Sequence, residues 1–149
     1  MDFTPTAQSL GDSEIANEIE AVDPRAVEEL WGGAVTAASG FVALPMCLLR
    51  LQSKLRLSPT DLVVMSNLLA HRWKASDAVF PRTTTIANRM GVTPRTVQRS
   101  AEKMIKAGLM ERVKLANGMR AYRFDLLNKL LSREVAASLQ IKSLESLDA

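Results

Sequence analysis

Arg95 and Arg99 stand four residues apart in the stretch IANRMGVTPRTVQRS (residues 86–100), with Thr93, Thr96 and Gln98 around them. These side chains share one chemistry. An arginine fork can donate in parallel to the edge of a guanine, at about 1–3 kcal/mol of discrimination per good pair, and a glutamine amide can serve adenine. Threonine offers a hydroxyl to a phosphate oxygen and a methyl to thymine. Such a set is useful only if something rigid presents it.

The surrounding residues predict that support. Ile86 and Met90 are four apart and face a core from a short helix, TTTIANRM. Ala87 permits close approach of a second helix, and Gly91 supplies the positive φ of a tight turn. Val92 then points inward. Thr93 caps the next helix and Pro94 takes its first position. The residue three beyond the cap is Thr96 rather than an acid, which leaves the helix N-terminus open to an anion. On a helical wheel of about 100° per residue, Val97, Ala101, Met104 and Ile105 form the inward stripe. Arg95, Arg99, Lys103 and Lys106 fall opposite it, with Glu102 the one acid among them. Gly108 ends the helix. Two β-prone segments, LMERVKL and MRAYRF, then flank Asn117-Gly118, a strong hairpin signal.

Charge is distributed unevenly along a chain whose net charge is only +3. Residues 1–40 hold eight acids against Arg25, a net of −7, while residues 82–123 hold ten bases against Glu102 and Glu111, a net of +8. The basic block fits a polyanion-binding surface, and it also fits an ordinary solvated face.

The rest of the chain reads as follows. Residues 1–12 look disordered, and Ser13–Leu30 suggests one or two weak helices interrupted at Asp23-Pro24. WGGAVTAASG reads as a small-residue linker without the spacing of a phosphate-binding loop. Pro45 opens a compact helix whose Met46, Leu48, Leu49 and Leu51 are expected mostly in the core. A stronger helix follows, with Ser58 as cap, Pro59 in first position and Asp61 suited to the positive end. Its Leu62, Met65, Leu69 and Trp73 share one face. SDAVFPRT reads as a loop. The segment from Asp125 is an amphipathic helix, with Leu127, Leu131, Val135 and Leu139 expected to pack on the domain or on a partner helix.

The stretch FPRTTTIANRMGVTPRTVQRSAEKMIKAGLMERV…NGMRAYRFDLLNKL resembles the winged helix-turn-helix domains of bacterial transcriptional regulators and plasmid replication proteins. The preceding GFVALPMCLLRLQSKLRLSPTDLVVMSNLLAHRWK is similar to the lead-in of that group. The resemblance implies a mainly α fold with a small β-hairpin wing. It implies that the helix from Pro94 is the recognition helix, with Arg95, Thr96, Gln98 and Arg99 reading bases. Thr83, Thr84 and Thr85 would touch phosphates, and Lys114, Arg120 and Arg123 would serve the wing. One departure stands out: Ser100 occupies a place where such motifs often carry a larger apolar residue, which points to altered packing of the helix.

The expected organisation is therefore an acidic, partly disordered arm with a weak helix over 1–39, a winged helix-turn-helix domain over 40–125 and an amphipathic helix over 126–149. The expected function is sequence-specific binding of double-stranded DNA in transcriptional regulation. Alternatives are initiation of plasmid or phage replication, and a protein-binding adaptor on the same fold. Homodimerisation through the C-terminal helix and a protein partner for the acidic arm are both open. No enzymatic activity, cofactor or metal is expected. His71 is the single histidine and Cys47 the single cysteine, too few for a recognisable metal site or an internal disulfide. Cys47 is expected as a buried small hydrophobe, and Trp31 and Trp73 as core or interface anchors. The N-terminus lacks the basic and apolar regions of a secretory leader, and no apolar run is long enough to span a membrane. A cytoplasmic, nucleoid-associated protein is expected.

Overall fold

The computed structural model describes residues 24–71, 78 and 82–147. The expectations for residues 1–23, for Trp73 and for most of SDAVFPRT lie outside these residues. The described residues divide into a larger compact unit within 42–135 and a smaller one formed by 24–41 with 136–147.

In the smaller unit, α1 (Pro24–Trp31) and α2 (Gly33–Ser39) are consecutive helices. The linker reading of WGGAVTAASG is thereby corrected. Ala34, Ala37 and Ala38 favour helix strongly enough to outweigh the flanking glycines, and the Thr36 hydroxyl donates to the Gly32 carbonyl at 3.1 Å. Trp31 is 68% exposed, so it is not a core residue of the described structure.

The larger unit runs α3 (Met46–Arg50), α4 (Pro59–Leu69), α5 (Thr83–Met90), α6 (Pro94–Lys106), β1 (Glu111–Lys114) and β2 (Arg120–Arg123). It continues into α7, which spans Asp125–Leu147. This is a winged helix-turn-helix: α6 packs on both α4 and α5, and a two-stranded antiparallel hairpin follows it. One core joins α3 to α6 with the first turns of α7, and Tyr122 of β2 packs against it. Leu48, Val64, Met65, Leu68, Ile86, Ala87, Val97, Ala101, Met104, Leu109, Met110, Phe124, Leu127 and Leu131 are buried together.

Four details of the expected core change. In α3 only Leu48 is buried, and Met46 and Leu49 are exposed, because five residues make little more than one turn with a single inward position. In α4 the buried stripe is Asp61, Val64, Met65 and Leu68, while Leu62 and Leu69 are half-buried. The expected face was rotated because a carboxylate occupies one core-facing position. In α6, Ser100 completes the stripe with Val97, Ala101 and Met104, and Ile105 lies half-buried at its edge. Cys47 is half-buried rather than enclosed.

The turn between α5 and α6 rests on Gly91. Its φ is +67°, and the Val92 N–H donates back to the Ala87 carbonyl at 3.0 Å, closing the helix end. A Cβ at this position would meet nothing within 4 Å, so only backbone strain opposes a side chain there. Gly91→Ala is expected to cost about 1–2 kcal/mol of stability, with Gly91→Asn costing less. Urea unfolding of both variants measures the difference.

Candidate nucleic-acid interface

α6 starts as its sequence requires. Thr93 is extended at the N-cap, its Oγ1 accepts from the Thr96 N–H at 3.3 Å, and Pro94 follows. The Thr93 and Thr96 hydroxyls also share a hydrogen bond of 3.1 Å. Both threonines are therefore engaged with each other at the helix start. Arg95, Gln98 and Arg99 are exposed, and their side chains have no hydrogen-bond or ion-pair partner among the described residues. Lys106 is exposed at the other end.

Lys103 is placed differently. Its Nζ donates to Asp61 Oδ2 at 2.5 Å, although about half of its side chain remains exposed. Ser100 Oγ donates to Asp61 Oδ1 at 2.6 Å, inside the core. Asp61 also closes a capping box at the start of α4: its Oδ2 accepts from the Ser58 N–H at 3.0 Å, and its own N–H donates to Ser58 Oγ at 3.1 Å. Burial pushes this carboxyl up. The hydrogen bonds from Lys103, Ser100 and Ser58 outweigh burial and hold it at about 2. Ser100 is thus small and polar because it meets a carboxylate from the neighbouring helix.

Sequence reasoning missed this cluster, treating Asp61 only as a favourable charge at a helix start. The available signals were Ser58-x-x-Asp61, which has the spacing of a capping box, and the position of Asp61 on the stripe with Val64, Met65 and Leu68.

Thr83 is half-buried, and Thr84 and Thr85 are exposed, at the first turn of α5. No side-chain hydrogen bond caps that helix from Arg82. At its C-terminal end, Arg89 donates to Asn67 of α4 at 3.3 Å.

In the hairpin, Glu111 pairs with Arg123, Arg112 with Tyr122, Val113 with Ala121 and Lys114 with Arg120. Strand alternation puts Lys114 and Arg120 on one face with Arg112 and Tyr122, and Arg123 on the other face beside Glu111. The Arg112 guanidinium lies 6.0 Å from the Tyr122 ring centroid. The structure therefore brings Lys114 and Arg120 together and separates Arg123 from them. The tip is not a two-residue turn. The Gly118 N–H donates to the Leu115 carbonyl at 2.9 Å, and Gly118 has φ of +82°. Asn117 has no positive φ; its Oδ1 instead accepts from the Met119 N–H at 3.0 Å. This is the longer hairpin loop that ends in a left-handed glycine. Buried Met110, Ala121 and Phe124 fix the base of the wing.

Among the described residues, no group of three or more His, Cys, Asp or Glu is placed to hold a metal ion. No described helix is long and apolar enough to cross a membrane.

A core-anchored helix with a free cationic outer face, entered from a tight turn and followed by a basic hairpin, defines the winged helix-turn-helix class. Comparison with protein families agrees: residues 55–110 match the helix-turn-helix domain family, so the chain carries a helix-turn-helix domain. The match spans α4 to α6 and stops before the hairpin. No curated protein matches the chain. A helix-turn-helix domain points to DNA as partner.

Proposed function

We propose that this protein binds double-stranded DNA sequence-specifically and acts as a transcriptional regulator. The observation that carries the reading is the division of α6. Val97, Ser100, Ala101 and Met104 are buried, whereas Arg95, Gln98 and Arg99 are exposed and unengaged. Thus the helix is fixed from one side and chemically free on the other. Arg95, Gln98 and Arg99 read base edges in the major groove. Thr93 and Thr96 meet phosphate or thymine methyl at the helix start, and Thr83, Thr84 and Thr85 reach the backbone from the uncapped start of α5.

Lys114 and Arg120 act as the wing's phosphate contacts, with Arg123 at its base. Their pairing supports this role. Like charges directly opposite each other destabilise a hairpin, and a polyanion relieves that repulsion. Arg120→Thr is therefore expected to stabilise the protein slightly, by a few tenths of a kcal/mol. The same change should weaken binding to every DNA sequence and lower the log–log salt slope by about 0.9. Thermal unfolding and salt-dependent titrations on two unrelated duplexes test the two halves of that expectation.

Selection of bound duplexes from a random DNA pool tests the function as a whole. Enrichment of one site, with affinity falling steeply in salt, is the expected result. Equal recovery of all sequences would support the adaptor alternative. Genomic sites overlapping promoters would fit regulation, and tandem repeats in an origin would fit replication initiation.

A further inference from the structure

We propose that Asp61 is a positioning residue for base reading: from the start of α4 its carboxylate holds Ser100 and Lys103, and so fixes the rotation of α6 about its own axis. The inference rests on the DNA-binding function proposed above.

The apolar contacts of α6 are non-directional, and its stripe contains the small residues Ser100 and Ala101, so apolar packing alone leaves the helix some freedom to roll. The hydrogen bonds to Asp61 are directional. Ser100 occupies Oδ1 and Lys103 occupies Oδ2, one helical turn apart on α6. Asp61 is itself immobilised, 3% exposed and closed into the capping box with Ser58. A roll of α6 that re-aimed Arg95 and Arg99 would strip a buried carboxylate oxygen of its donor. A second consequence concerns Lys103. Its ammonium is spent on an internal carboxylate, which takes it out of the outward DNA-binding cations among which its position on the wheel places it.

The test uses the full chain and two duplexes: the sequence that the wild type selects from a random pool, and a scrambled version. Asp61→Asn keeps the shape but removes the charge. It is expected to lower the ratio of specific to scrambled affinity by about tenfold or more, with scrambled affinity and its salt slope retained or raised by the released Lys103 ammonium. Lys103→Met should lower the ratio in the wild-type background but not further in Asp61→Asn. Its salt slope should equal that of the wild type, whereas a phosphate contact would lower the slope by about 0.9. An unchanged ratio in Asp61→Asn overturns the inference, as does an equal loss of both affinities, which marks a fold defect alone. A slope lowered by Lys103→Met overturns the assignment of Lys103. If Asp61→Asn does not fold, Ser100→Ala and Lys103→Met carry the same comparison. Failure of the wild type to select any sequence overturns the DNA reading itself, which separates that failure from one confined to Asp61.

Discussion

Replacing Arg95 and Arg99 together by alanine is expected to remove most of the protein's preference for its DNA site while leaving the fold intact. Each arginine fork on a guanine edge contributes about 1–3 kcal/mol of discrimination, so the pair should cost on the order of 10²–10⁴-fold in specific affinity. Stability should change by no more than about 0.5 kcal/mol, because exposed side chains without partners contribute little to folding. Neither arginine has a partner among the described residues, and alanine suits a helix at least as well as arginine does. Binding to a scrambled duplex, carried by the wing and the start of α5, should persist. Titration of both duplexes, alongside thermal unfolding, separates these effects. Site-specific binding that survived the double change would mean that α6 is not the reading element.

The parts of this fold that were legible in sequence are those governed by local rules. Thr93-Pro94 marked the start of α6, and Gly91 and Gly108 marked two helix ends. Asn117-Gly118 marked the hairpin. In each case the residue type answers a backbone requirement within a few positions. What was misread depended on contacts distant in sequence. Asp61 was legible only as a charge suited to a helix start. Its burial is stabilised by donors from Ser100 and Lys103, 39 and 42 residues away. The same blindness turned the buried face of α4 toward Leu62 and Leu69, and left Ser100 as an unexplained departure. Lys103 illustrates the limit from the other side. The wheel placed it correctly among the outward cations, but no wheel shows that a carboxylate from another helix reaches it. In the wing, the family resemblance grouped Lys114, Arg120 and Arg123, and only the strand register separated Arg123 from the other two.

Asp61→Asn is expected to lower stability by about 2 kcal/mol near neutral pH, and to lose that penalty in acid. The folded carboxyl titrates at about 2, against 3.8 for an unperturbed aspartate. The unfolded chain therefore binds the proton more readily between these values, and stability rises with pH across that window. The contribution of Asp61 is complete above pH 3.8 and is lost as pH falls through about 2. At about 1.4 kcal/mol per unit, the shift corresponds to about 2 kcal/mol. Below pH 2 the protonated wild type and the amide variant present similar groups to Ser100 and Lys103, so their stabilities should converge. Urea unfolding of both proteins at neutral pH and near pH 2 measures the gap directly. A gap that stayed constant with pH would show that the aspartate acts through shape and capping rather than through charge. Salt gives an independent check. Lys103 is half exposed while its Asp61 partner is buried, so salt reaches the pair from the lysine side and screens it in part. The donors from Ser58 and Ser100 are neutral groups, and the Asp61–Ser100 bond is buried. High salt should therefore weaken only the Lys103 part of the gap and leave the Ser58 and Ser100 part in place.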